Sequence, residues 1–216
     1  MGGVGIRRWF GALAGALLCA CGGGASLRTG DLLFQQTRSE EMADAIVAAT
    51  GDDGAVNFTH VGIVERRDDG LYVIEAVGEA VTATPLASFM ERSALRDGKP
   101  LVAVGRVREA DSTVVARAMQ RARACLGLPY DDDFLPDNGK FYCSELVWEC
   151  FLAADDSTHL FRSRPMTFRA ADGSMPDYWT RHFAASGMAV PEGVAGTNPN
   201  DMAADPAVRI VWRCYD

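Results

Sequence analysis

The chain has 216 residues, 48% of them hydrophobic, with 29 acidic side chains against 21 basic ones and a formal charge of -8. That length holds one domain with a real core and hardly two, and the acidic balance argues against nucleic acid or an anionic membrane surface as ligand. There is no CxxC pair and no cysteine and histidine cluster at zinc spacing, so no structural metal site is expected, and no cofactor.

Arg7 and Arg8 precede an apolar run from Trp9 to Ala20 that is too short to span a bilayer, which marks residues 1–20 as a signal peptide. The run ends Leu18, Cys19, Ala20, Cys21, the pattern of a bacterial lipobox; the alternative is an ordinary secretory signal with an incidental cysteine. On the lipobox reading Cys21 carries the lipid and residues 21–29 form a glycine-rich tether for a domain at 30–216. Lipid then holds the domain at the membrane of a bacterial cell envelope, facing the periplasm, and Gly22 rather than Asp favours the outer membrane in a host that has one. Extended, Gly22 to Thr29 would reach at most roughly 29 Å. Without Arg7 and Arg8, 19 basic residues face 29 acidic ones, near -10.

In the domain, Gly30–Gln36 (GDLLFQQ) reads as a short strand. Ser39 is placed to cap a helix with Glu40 and Glu41 in its first turn, Met42, Ile46 and Ala49 on one face, and Gly51 as its stop. Two strand-like runs follow, 59–65 (THVGIVE) and 71–77 (LYVIEAV), joined by a hairpin whose strongest turn signal is Asp69-Gly70. A strand at 101–107 leads into a helix capped by Asp111 or Ser112, with Val115, Ala118, Met119, Ala122 and Leu126 as its core face and Gly127 and Pro129 at its end. The breaker-rich loop 129–140 delivers a helix starting near Cys143, with Leu146, Val147, Cys150 and Ala154 on its inward stripe. A loop with Pro165, a helix at 178–185, a Gly- and Pro-rich stretch at 191–199 and a strand at 208–213 complete the chain. Short strands grouped beside helices give an α+β fold.

Cys143 stands where a thiol faces the positive end of a helix dipole, which favours thiolate over thiol. Cys125, Cys150 and Cys214 sit in apolar surroundings and read as ordinary buried thiols, and no disulfide is expected at Cys143. Of three histidines, His159 lies in a polar run and His182 has no acid on its own helix face. His60 starts a strand whose hairpin partner carries Glu75. With two or four residues in the loop, His60 and Glu75 share a sheet face. Four place Glu75 diagonal to His60, two bring Glu79 opposite it, and three reverse the face.

A cysteine hydrolase needs a thiolate, an imidazole that keeps it ionised and protonates the leaving group, and a polar group that fixes the ring. Cys143, His60 and Glu75 fit those roles, with the Cys143 N–H meeting the oxyanion and Tyr142 contributing its hydroxyl or shaping the pocket. From pattern alone the bland readings stand beside these. Cys143 shares a stripe with Leu146, Val147 and Cys150 and reads equally as a core thiol, His60 as a satisfied strand histidine, Glu75 and Glu79 as solvated acids, and Tyr142 as packing.

The segments GDLLFQ at Gly30, THVGIV around His60, VIEA around Glu75, TPLASF at Thr84, GLPYD at Gly127 and FYCSELV around Cys143 occur in an order that resembles the YiiX/YebB-like branch of the NlpC-type papain-like hydrolases, whose topology is circularly permuted. The resemblance extends through DYWTRHF and GMAVPEGVAGTNPNDMA and covers nearly all of the domain. It implies an antiparallel sheet packed against the nucleophile helix, with Cys143 as nucleophile, His60 as general base and acid, and Glu75 as the orienting residue. It implies cleavage of an amide, peptide or acyl-ester bond through a thioester, the substrate being a peptide or a lipid-like amide or ester. The alternatives are a thiol-dependent acyltransferase and a non-catalytic lipoprotein that binds a peptide or lipid in the cleft.

Overall fold

Leu32–Gln35 (β1) is buried along its whole length, because a strand pairs with it on each side and both faces of the sheet are covered. The computed structural model describes residues 26–52, 56–108, 110–153 and 157–216; the expected leader, Cys21, the glycines 22–24 and Ala154 lie outside them. The strands are β1, β2 (His60–Arg67), β3 (Gly70–Val77), β4 (Ala80–Pro85), the short pairs β5 (Leu95–Arg96) with β6 (Lys99–Pro100) and β8 (Arg164–Pro165) with β9 (Ala195–Gly196), β7 (Val102–Val107) and β10 (Val208–Arg213). The helices are α1 (Glu41–Thr50), α2 (Leu86–Glu91), α3 (Ser112–Ala124), α4 (Cys143–Cys150), α5 (Asp177–Ala185) and α6 (Pro199–Ala204). Six strands form one antiparallel sheet in the order β10-β7-β1-β2-β3-β4.

Strand alternation divides the core between two faces. Phe34, Val61, Ile63, Ile74 and Ala76 pack with Leu146, Val147 and Cys150 of α4 and Ala118 and Met119 of α3. Leu33, Val64, Val73, Val102 and Val104 pack on the opposite face with Leu86 and Phe89 of α2. The antiparallel sheet packed against the Cys143 helix is thus as expected, and the fold is α+β. The four described cysteines are free.

Several local expectations are corrected. Glu40, not Ser39, is the N-cap residue of α1; Ser39 Oγ instead donates to the Asp44 carboxylate at 2.8 Å. Asp111 caps α3 by accepting from the N–H groups of Thr113 and Val114, and Val114 rather than Val115 is buried. Leu126 lies beyond the helix end and is 39% exposed. β4, which follows β3 after a two-residue turn, and α2, which follows β4 directly, had no counterpart in the periodicity, nor had α6, which opens with Asn198 as cap and Pro199 at the first helical position. Residues 27–29, assigned to the tether, are docked on the domain: Leu27 is buried, its carbonyl accepts from Arg66 Nη2, and Thr29 Oγ1 accepts from the Arg66 N–H.

The β2–β3 hairpin has a two-residue turn, Asp68-Asp69, with Arg67 opposite Gly70 and Ile63 opposite Ile74. The turn sits one residue earlier than Asp69-Gly70, so the register is the one expected of the four-residue loop. Glu75 falls beside Gly62 and diagonal to His60, while Glu79 lies exposed in the following turn. Gly62 clears the path between them: a Cβ there would stand 2.5 Å from Val73 Cγ1 and 3.1 Å from Glu75 Cβ. Gly62→Ala is expected to cost about 1–3 kcal/mol of stability through the forced separation of β2 and β3. Urea unfolding measures it, and an unchanged midpoint would show that the strands part freely.

Candidate active site

His60 opens β2 and Cys143 opens α4, and the fold brings these two beginnings together. The Cys143 thiol acts on the His60 ring through hydrogen bonding and charge. Nε2 of the same ring meets Glu75 Oε2 at 2.5 Å. Cys143 and His60 are 6% and 7% exposed and Glu75 is fully buried, so their mutual interactions are little screened. The ring is packed by Phe89 at 5.9 Å between centroids.

Burial alone would pull His60 below the ordinary imidazole value. Hydrogen bonds to Cys143 and Glu75, and the negative charge of both, overcome it and hold the ring up to about 9. Burial pushes the Glu75 carboxyl up, but His60, Thr84 and Arg92 together hold it below the usual carboxylate range. Arg92, just beyond α2, places Nη2 2.6 Å from both Glu75 oxygens. Arg92 and Thr84 escaped the sequence reading, since neither stands in a periodic position and each meets Glu75 only through the β3–β4–α2 connection.

At the start of α4 the first N–H groups precede the intrahelical ladder, whose first bond runs from the Leu146 N–H to the Tyr142 carbonyl. Glu145 in this turn is pushed up to about 8, chiefly by burial and then by the charge of Asp131, so near neutral pH it is largely an uncharged acid. The positive end of the dipole is therefore not cancelled beside the thiol.

Tyr142 is buried, and its hydroxyl is committed: it accepts from the Thr197 N–H at 3.1 Å and donates to Met166 Sδ at 3.7 Å. Burial, and then the charge that Glu145 takes on in alkali, push that phenol well up. The side chain thus pins residues 166 and 197 beside Cys143. Gly196 has to be glycine, because a Cβ there would collide with Met166 and stand 2.7 Å from the Tyr142 oxygen. His159 is stacked on Trp148, and His182 donates to the Asp132 carbonyl from the aromatic cluster around Phe134, so neither belongs to this group. Gln35, opposite His60 on β1, is fully buried and donates to the Phe89 carbonyl.

A cavity of about 340 Å³ opens against Cys143, Ser144 and Tyr142. Among the described residues no group of three or more His, Cys, Asp or Glu side chains is placed to hold a metal ion.

Residues 26–212 match the family described as permuted papain-like amidase enzyme, YaeF/YiiX, C92 family. The chain belongs to that family. Uncharacterized protein YiiX of Escherichia coli strain K12 is 36% identical over 125 residues, which are 57% of this chain and 57% of that protein; the match spans little more than half of the relative's length. The crystal structure described as metalloprotein yiiX from Escherichia coli O157:H7, DUF1105, superposes with a TM-score of 0.69 at 26% identity, over 86% of this chain and 97% of that one. The permuted papain-like reading of the fold holds.

Glu75→Gln removes the charge that Nε2 faces, so the His60 midpoint is expected to fall from about 9 toward the ordinary imidazole value. An NMR titration of the ring against pH reads this directly. A midpoint that stayed near 9 would show that Glu75 is not what holds the proton.

Proposed function

We propose that the protein is an envelope-anchored cysteine amidase in which Cys143 is the nucleophile, His60 the general base and acid, and Glu75 the group that orients the ring. The observation that carries this reading is His60 beside both the Cys143 thiol and a fully buried Glu75 that His60 itself, Thr84 and Arg92 hold ionised. The bond attacked is an amide or peptide bond, or an acyl ester.

In the first step the Cys143 sulfur adds to the carbonyl carbon and the oxyanion forms at the start of α4, where the Cys143 N–H is free of the helix ladder. The tetrahedral species collapses to a thioester as the C–N bond breaks and the His60 imidazolium gives its proton to the departing amine. Water then attacks the thioester with its proton passing to His60, the acid leaves, and the thiolate–imidazolium pair is restored. Tyr142 acts by shaping the pocket, its hydroxyl being already engaged.

The E. coli crystal structure is described as that of a metalloprotein. Here the Glu75 oxygens are taken up by Arg92 and His60, so Cys143, His60 and Glu75 do not fit a metal as a ligand set, and no step above uses one. With residues 27–29 docked on the domain, a lipid on Cys21 would be joined through the five residues 22–26, a reach of at most roughly 18 Å.

Two measurements test the assignment. In the chain from Ser26 onward, iodoacetamide followed by peptide mass spectrometry is expected to alkylate Cys143 selectively well below pH 8, and more slowly in His60→Ala. Labelling at the rate of an ordinary thiol, indifferent to His60, would move the protein to the class of non-catalytic binding lipoproteins. The leaving amine needs the imidazolium, so amide turnover is expected to decline on the alkaline side with a midpoint near 9, as His60 loses its proton. An alkaline limb centred near 6.5 would contradict the pairing.

A further inference from the structure

The chain is acidic overall, yet four arginines meet in one pocket. The start of β1, the end of β7 and the start of β10 fall at the same end of the antiparallel sheet. There Arg28, Arg106, Arg108 and Arg209 line a cavity of about 380 Å³ together with Thr29 and Asp31. It shares no lining residue with the cavity that opens against Cys143.

Strand pairing forces these like charges together. Arg209 on β10 is directly opposite Arg106 on β7, which sets their Cβ atoms about 5 Å apart on one face, an arrangement that costs stability when both side chains carry the same charge. Arg108 stands two residues after Arg106, and its N–H still donates to the Ala207 carbonyl, so the pairing with the β10 side continues to it. Asp31 answers only one of the four guanidinium groups. It is 2% exposed, and its two oxygens accept from Arg106 Nε and Nη2 at 2.7 and 2.8 Å. Its Oδ2 also accepts from the Arg28 N–H, while the Arg28 carbonyl accepts from the Asp31 N–H, so the turn is closed from both sides and the Arg28 backbone is fixed. Among the described residues, the side chains of Arg28, Arg108 and Arg209 have no carboxylate partner, and all three residues are exposed.

A chain with 29 acidic side chains thus leaves three guanidinium groups unanswered around one cavity. A carboxylate brings a single charge and two oxygens. A phosphate group brings more oxygens and up to two charges, which suits several guanidinium groups with more than one donor each. We infer that this pocket binds a phosphate group, free or carried on the headgroup of an anionic phospholipid, with Arg28, Arg108 and Arg209 as its ligands. The lipid source rests on the anchoring proposed above: Arg28 and Thr29 follow directly on the docked Leu27, so a lipid on Cys21 would keep the pocket close to the bilayer. The net charge of -8 opposes spreading the domain over an anionic surface, but a single pocketed headgroup needs only the local potential. Phosphate binding does not depend on amide cleavage, so neither reading falls with the other.

The test uses the full-length protein in micelles of an uncharged detergent at constant ionic strength, titrated calorimetrically with inorganic phosphate. One site per chain is expected, weakened about tenfold or more by Arg209→Gln and by Arg108→Gln, because each removes charge-assisted hydrogen bonds to the ligand. Arg38→Gln, at an exposed arginine outside the pocket, removes the same charge and is expected to leave the affinity within about twofold. No binding would overturn the site, and equal weakening by all three substitutions would overturn it by reducing the effect to net charge. Doping the micelles with phosphatidylglycerol or phosphatidylcholine then separates the sources. Competition with phosphate by phosphatidylglycerol alone identifies the headgroup as the ligand, and competition by neither lipid leaves the pocket to free phosphate. Either result upholds the phosphate site and names its source.

Discussion

A fully buried carboxylate is the constraint on which the rest of this structure is arranged. Glu75 has no exposed surface, and an unpaired charge there would cost several kcal/mol. Its partners come from three separate elements: His60 from β2, Thr84 from β4 and Arg92 from the end of α2. Satisfying one side chain therefore ties the hairpin, the next strand and the short helix together. The same contacts orient the imidazole.

That arrangement explains the two-faced sheet. Glu75 and His60 project toward the α2 side with Val64, Val73 and Phe89, whereas α4 covers the other side. The thiol and the ring meet because His60 is the first residue of its strand and Cys143 the first of its helix. A histidine in the middle of β2 would be screened from α4 by the sheet itself. Gly62, with no side chain, leaves the gap through which the carboxylate reaches the ring.

The Cys143 helix also has a second set of constraints. Tyr142, one residue before Cys143, anchors the segment around Thr197, and Phe134 packs on Tyr142 from an unfavourable backbone angle. A cavity with aromatic lining and a polar, charge-coupled pair are both neighbours of the thiol. This arrangement is what the family's permuted papain-like topology supplies here, with the histidine strand ahead of the cysteine helix in the chain.

The amino-acid sequence by itself determined features that rest on short-range geometry. The parity that puts His60 and Glu75 on one face follows from the two-residue period of a strand for a hairpin loop of two or four residues, and the two-residue turn meets that condition. A helix cap at Asp111 or Ser112 and a helix start near Cys143 follow from local hydrogen-bonding chemistry. Only the tertiary structure decided that Arg92 clamps Glu75, that Cys143 comes beside His60 although it also lies on the core stripe, and that a cavity with aromatic lining opens against the thiol. These depend on pairs 17, 83 and more residues apart, whose meeting is set by how the elements pack and leaves no periodic trace in the chain. β4 and α2 were illegible for a related reason: six-residue segments carry too few repeats for a period to be seen, and their stability comes from the sheet edge and the buried Phe89.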